Sequence, residues 1–164
     1  MKITKELLKE KSPCSDGYEW YLRKFPDGGD YQEILDALCD DDRVDDACWL
    51  LNAFGKTSDV LEVDVLERKS FVFAGSIVVK GPIKIEFSLR AGSGIKAGWG
   101  IEAGWGIKAG SGIEAGEDFG IFAALRLRIS NWALSGRVTA KIKPANLMTG
   151  HWVEAESEEK QDAA

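Results

Sequence analysis

The sequence predicts an α+β protein: a small N-terminal helical bundle followed by a short parallel β-solenoid of three to four coils. Three observations carry this. Residues 1–58 space their apolar side chains at helical intervals, residues from about 61 to 130 repeat with period six, and the 18 glycines of the 164-residue chain crowd into that repeat. The chain thus divides into a helical module over 1–58, a solenoid with closing strands over 59–150, and an acidic tail over 151–164.

Ile3, Leu7 and Leu8 fall on one side of a first helix. Tyr18, Tyr21, Leu22 and Phe25 mark a second, capped by Ser15 or Asp16 and ended by Pro26-Asp27-Gly28-Gly29. Asp30 then caps a third helix bearing Tyr31, Ile34, Leu35 and Leu38, and Val44, Ala47, Cys48 and Leu51 mark a fourth that closes near Gly55. Each is two or three turns long, too short to be stable alone, so the four must pack together or against the remainder of the chain.

From Ala91 the chain reads AGSGIKAGWGIEAGWGIKAGSGIEAGEDFG, a unit I-(K/E)-A-G-(W/S)-G repeated four times. Counting in sixes gives Val65, Phe71, Ile77, Ile83, Leu89, Ile95, Ile101, Ile107, Ile113, Phe119 and Leu125, every one apolar. Six is even and a strand alternates faces with period two, so the repeat keeps one parity: Ile, Ala, Trp or Ser at odd positions, Lys, Glu or Gly at even ones. A helix would need period 3.6, and glycine at half its positions would cost it about 1 kcal/mol each. Charge fixes the coil length. Positions 96, 102, 108 and 114 read Lys, Glu, Lys, Glu; a twelve-residue coil would stack like on like, whereas an eighteen-residue coil lays Lys96 over Glu114 and Ile95 over Ile113. After Ser130 the frame slips, with Leu134, Gly136, Val138, Ala140 and Ile142 at even positions, so a loop at Asn131-Trp132 absorbs a residue or turns the chain back.

Trp99 and Trp105 admit two readings: core filler given room by neighbouring glycines, or an exposed aromatic row that binds a partner or a sugar. Asp36, Asp40, Asp41, Asp42, Asp45 and Asp46 likewise form either a solvated inter-helix turn, with Asp42 capping the fourth helix, or a negative patch for a basic partner surface such as one that holds nucleic acid. An EF-hand is disfavoured because its glycine and distal glutamate are missing at the required offsets. Residues 60–150 carry 12 bases and 8 acids, while the chain as a whole is at −6. The net charge gives no general reason to expect direct nucleic-acid binding, and the basic excess of residues 60–150 reads either as attraction to the acidic helices and protection of the strand edge or as a surface for an acidic protein or nucleic acid.

Cys14, Cys39 and Cys48 form neither an even disulfide set nor a C-x-x-C pair, which fits a reducing cytoplasm. No apolar run is long enough for a signal peptide or a membrane span. The sole histidine, His151, lies outside the repeat, and no zinc spacing, phosphate-binding loop or Ser-His-Asp order is present, so neither an enzyme nor a cofactor or metal site is expected.

The stretch Cys14-Ser-Asp-Gly-Tyr-Glu-Trp-Tyr-Leu-Arg-Lys-Phe-Pro26, with Arg43-Val-Asp-Asp-Ala-Cys-Trp-Leu-Leu51, resembles a helical module at the start of uncharacterised proteins of bacteriophages, prophages and their hosts. The GSGIKAGWGIEAG array is similar to repeats attached to that module. The resemblance implies a cytoplasmic, non-enzymatic phage or mobile-element protein that binds and inhibits a host protein, such as a nucleic-acid-binding defence protein of the CRISPR type. A weaker likeness to bactofilin-type solenoids implies instead a self-assembling scaffold, and leaves a homo-oligomer open.

Overall fold

The computed structural model describes residues 1–155. The N-terminal module comprises β1 (Lys2–Ile3), α1 (Lys5–Glu10), α2 (Ser15–Lys24), β2 (Gly29–Asp30), α3 (Tyr31–Asp40) and α4 (Val44–Phe54). Ile3, expected on the first helix, instead lies on β1, which pairs antiparallel with β2, and its side chain is fully buried. Its carbonyl accepts from the Tyr21 hydroxyl at 2.8 Å. The cap of α2 is the Cys14 sulfur, accepting from the Gly17 N–H, so Ser15 and Asp16 stand inside the first turn. Asp30 caps α3 as its spacing predicts, with the Gln32 N–H donating to its carboxylate at 2.9 Å. Asp42 does not cap α4: its φ of 57° turns the chain out of α3, and Arg43 takes the cap position without a side-chain bond. Gly55, at φ 78°, closes α4. Tyr21, Tyr31, Ile34, Leu35, Leu38, Ala47, Leu50 and Leu51 form the core that holds these short helices together.

The remaining strands wind into a three-sided stack. The first coil is β3 (Val60–Val63), β4 (Leu66–Arg68) and β5 (Phe71–Phe73), and the second is β6 (Ser76–Val79), β7 (Ile83–Ile85) and β8 (Leu89–Ala91). The third is β9 (Ile95–Ala97), β10 (Ile101–Ala103) and β11 (Ile107–Ala109). The fourth holds β12 (Ile113–Glu114), β13 (Ile121–Phe122), an inserted helix α5 (Ile129–Ser135) and β14 (Arg137–Ala140); β15 (Leu147–Thr149) and β16 (His151–Glu154) make a partial fifth. Each coil gives one strand to each parallel sheet: a first face β3-β6-β9-β12, a second β4-β7-β10-β13-β15 and a third β5-β8-β11-β14-β16. The count is about five coils where three to four were expected, because the closing residues continue the stack and β16 extends it past residue 150.

Eighteen residues separate stacked partners through the regular part: Phe71 pairs with Leu89, Ile77 with Ile95, Ile83 with Ile101, Leu89 with Ile107 and Ile95 with Ile113. β7, β9, β10 and β11 each bury their first and last residue and expose the middle one, so the isoleucine columns form the interior. The Lys96 and Glu114 side chains meet at 3.3 Å, the opposite-charge stacking that selects an eighteen-residue coil. The column departs from the sixth-residue count at its ends. In the shorter first coil Leu66 points inward in place of Val65, which is exposed. Two extra residues before β13 put Ile121 under Ile101 and push Phe119 out, and Leu125 is exposed where the chain leaves the stack after β13. The expected loop at Asn131-Trp132 is α5. Val138 and Ala140 then return to the interior, but Leu134 and Ile142 remain exposed.

The first glycine of each hexad lies against the backbone of the coil beneath, whereas the second is crowded at Gly106 and open at Gly112. A Cβ at Gly98 or Gly104 would lie 2.0 Å from the Lys80 carbonyl oxygen or 1.8 Å from that of Glu86, directly on the coil beneath. No side chain fits there at strand spacing. A Cβ at Gly112 would meet nothing within 4 Å.

The helical module closes one side of the first coil. Val72 and Ala74 turn their free backbone groups towards α3, where Gln32 serves as a substitute strand: its Nε2 donates to the Val72 carbonyl at 2.9 Å and its Oε1 accepts from the Ala74 N–H at 3.0 Å. The Thr57 N–H donates to the Ala74 carbonyl at 3.0 Å. An edge that would otherwise template another strand is thereby satisfied within the chain. The Val72 and Ala74 side chains are buried in the helical core, which joins the two parts.

Candidate recognition surfaces

The six aspartates of the α3–α4 region do not act alike. Asp36 accepts from Gln32 Nε2 at 2.8 Å, and crowding by the surrounding protein lifts its carboxyl above the usual carboxylate range. Asp41 accepts from Trp20 Nε1 at 2.7 Å and sits 3.1 Å from Lys24 Nζ; the indole bond, then the ammonium, hold its carboxyl below the usual range. Arg43 bridges two acids, its Nη2 donating to Asp16 at 2.6 Å and its Nε to Asp46 at 2.7 Å, while its guanidinium lies 5.9 Å from the Trp20 ring centre. Asp42 lies 3.9 Å from Lys69 Nζ. The bonds of Asp41 to Trp20 and Lys24, and of Arg43 to Asp16, tie α2 to the α3–α4 turn, and Asp40 and Asp45 are exposed.

Trp99 and Trp105 are 54% and 43% exposed, which overturns their reading as core filler. Parity places both on the inner side of an extended chain, but the chain is extended for only three residues at a time. Each tryptophan occupies the middle of a Gly-Trp-Gly corner, where the backbone bends and the alternation stops. Trp99 lies flat on Phe119, with ring centres 5.7 Å apart and planes 6° apart, and Trp105 tilts against Phe87 at 5.2 Å. These rings flank the second face, one at the corner before β10 and one at the corner after it.

The outer side of the third face and the start of α4 enclose an open cleft of about 1020 Å³. Asp42, Asp45 and Asp46 line one wall, and Trp105 with Phe87, Arg90, Lys108 and Arg137 the other. Of the eight residues singled out in the sequence, four therefore share this cleft; Asp36, Asp40, Asp41 and Trp99 lie outside it. A separate apolar pocket of about 430 Å³ opens within the helical module between Leu8, Cys14, Trp20, Leu38 and Trp49.

Residues 1–57 match the family described as the YdhT N-terminal domain. The match spans β1 to α4 with its Gly55 cap, about a third of the chain, and none of the solenoid. No curated protein and no solved structure matches the chain.

The polar chemistry beside these surfaces is spare. His151 packs its ring 5.2 Å from that of Trp132, and its Nδ1 is buried without a hydrogen-bond partner among the described residues. Burial pushes the Cys39 thiol up to about 12, while Cys14 is exposed. Among the described residues no group of three His, Cys, Asp or Glu side chains is placed to hold a metal ion, and no helix is long and apolar enough to cross a membrane. The sequence reading missed Phe87 and Phe119 as supports. Phe87 is one coil before Trp105 and shows when the chain is written in rows of eighteen. Phe119 is twenty residues after Trp99, hidden by the two-residue insertion.

Proposed function

We propose that the chain is a non-enzymatic recognition protein that acts by covering part of a partner protein, with the aromatic corners as its principal contact. The exposure of Trp99 and Trp105 carries this reading. Large aromatic rings in water are costly unless a partner covers them, and the ring contacts with Phe119 and Phe87 restrict their orientation before contact, which lowers the entropy lost on binding. The carboxylates of Asp42 and Asp45 across the cleft from Trp105 add a rim suited to a basic surface. The phage-type resemblance makes a host defence protein that handles nucleic acid the partner class of choice.

Affinity capture from bacterial host extract, read by mass spectrometry, tests this with the full chain and with Trp99→Ala and Trp105→Ala. A hot-spot tryptophan costs at least about 2 kcal/mol when truncated, or roughly thirtyfold in affinity, so the captured protein should disappear with either variant. Equal capture by wild type and both variants refutes the aromatic contact. Neutralising Asp42 and Asp45 together should weaken capture chiefly at low salt.

The alternative is a scaffold that stacks end to end. It is favoured by β12, β15 and β16, which end their sheets with a strand partner on one side only among the described residues. Light scattering and electron microscopy separate the two: filaments support the scaffold, and a concentration-independent monomer or dimer excludes it.

A further inference from the structure

The longest stretch of the chain without an acid is residues 119–153, 35 residues that hold Arg126, Arg128, Arg137, Lys141 and Lys143 while all 27 acids lie outside and resume at Glu154. It builds the end of the stack, from β13 through α5 and β14 to β15 and β16. At the corner between the second and third faces Ala124, at φ 66°, turns the chain out of the fourth coil. Gly136 brings it back so close that a Cβ there would lie 2.8 Å from the Ala124 methyl. The excursion between them holds α5, of which no residue is buried. Ile129 is 96% and Leu134 71% exposed. The root is pinned, with the Ala124 N–H donating to the Trp105 carbonyl at 2.7 Å and the Arg126 N–H to the Gly104 carbonyl at 2.8 Å. The Trp132 ring lies 5.2 Å from that of His151 on the last strand, which sets α5 beside the final coil. Between β14 and β15, Ile142 is 75% exposed and stands between exposed Lys141 and Lys143. Arg126 is paired with Glu86 at 2.7 Å, but Arg128, Lys141 and Lys143 meet no carboxylate among the described residues.

We propose that this end of the solenoid rests on an anionic lipid surface, with Ile129, Leu134 and Ile142 entering the acyl boundary and Arg128, Lys141 and Lys143 at the headgroup phosphates. Exposed aliphatic side chains interleaved with cations are what lets a segment lie in a membrane interface without spanning it. The aliphatic tips stand on separate segments, two on the excursion and one on the β14–β15 connection. A protein partner would need a matching hole for each, and protein contacts draw their binding energy chiefly from aromatic and arginine anchors; a fluid bilayer admits aliphatic tips at any spacing. A second copy docked through the same end would bring like charges together. The acids elsewhere repel an anionic surface, so this end alone can approach it, and the helical module, packed against the first coil, is left clear of the lipid.

Flotation of the full chain with vesicles tests the contact, comparing phosphatidylcholine alone with phosphatidylcholine mixed with phosphatidylglycerol. The chain should float with the anionic vesicles in low salt, weakly with the neutral ones, and less as salt shortens the screening length. A cation near an anionic surface is worth about fivefold in partitioning, so Arg128→Gln, Lys141→Gln and Lys143→Gln together should weaken binding about a hundredfold. Ile129→Ser, Leu134→Ser and Ile142→Ser together should weaken it at least about tenfold with every cation in place. All six positions are exposed, so the circular dichroism of both variants should match that of the wild type. No flotation with the anionic vesicles, equal flotation with both kinds, or unchanged flotation of either variant overturns the proposal. Sedimentation velocity without lipid supplies the remaining arm. Wild type and serine variant sedimenting alike leave this end open to lipid, whereas a wild-type assembly that the serine variant reduces to monomers makes a second copy the occupant and overturns the proposal.

Discussion

Replacing Gly104, the first glycine of one hexad, and Gly112, the second glycine of the next, by alanine separates stacking from mere flexibility. At Gly104 the new Cβ would stand 1.8 Å from the Glu86 carbonyl oxygen, where side-chain carbons do not approach closer than 3.0 Å, so the coils must part by more than an ångström. That parting strains the Gly104 N–H bond to the Ile85 carbonyl at 3.0 Å and the Arg126 N–H bond to the Gly104 carbonyl at 2.8 Å. Two such bonds are worth about 1 kcal/mol each and overpacking costs about 1–3 kcal/mol, so Gly104→Ala should destabilise by roughly 3 kcal/mol or more. At Gly112 the added methyl meets nothing within 4 Å and the backbone is not left-handed. Gly112→Ala should therefore stabilise by about 0.4–1 kcal/mol, through the unfolded chain. For a protein of this size the melting temperatures should move about 2–4 °C per kcal/mol in opposite directions. Stacked repeats can unfold in parts, so calorimetry should be joined by amide exchange on β9 to β11. Shifts of the same sign and size would refute the assignment of the two glycines to different roles.

Gln32→Ala leaves the Val72 carbonyl and the Ala74 N–H without their partner, and should cost about 2–4 kcal/mol in denaturant unfolding, with faster exchange at Ala74. Lys96→Glu should lose no more than about 1 kcal/mol and regain it with Glu114→Lys in the same chain, since the pair is exposed; a double-mutant cycle reads the coupling, and a coupling that survives high salt counts against an ionic contact. The folded-state pKa of Asp41 lies below that of the unfolded chain, so its contribution is present above the ordinary carboxylate range and is lost as pH falls through the folded value. Asp41→Asn should accordingly narrow the difference in denaturant midpoint between about pH 7 and pH 3. An unchanged difference would place the acid sensitivity elsewhere. Iodoacetamide should modify Cys14 well before Cys39, whose thiol is buried, and mass spectrometry of timed samples checks the order.

Much of the architecture is local in origin and so was legible in residue order. Hydrophobic spacing located all four N-terminal helices, and the parity of the hexad together with the Lys96 and Glu114 charges required three sides and an eighteen-residue coil. These features repeat along the chain, and repetition makes a weak preference additive. The candidate surfaces were less legible. Parity put Trp99 and Trp105 inside because it treats the chain as one strand, whereas each three-residue strand ends in a corner that resets the direction of its side chains. The aspartate run reads as one patch in sequence, yet Arg43, Lys24 and Trp20 bond two of its members and a glutamine holds a third.

By itself the sequence determined the period, the inward column and the size of a coil, because these follow from backbone alternation and from which charges tolerate being neighbours. Tertiary structure alone decided which carboxylates stay in water, which face the helices close, and that Gln32 stands in for a missing strand. Such outcomes depend on groups forty residues apart meeting at hydrogen-bond distance, and no local pattern encodes that meeting.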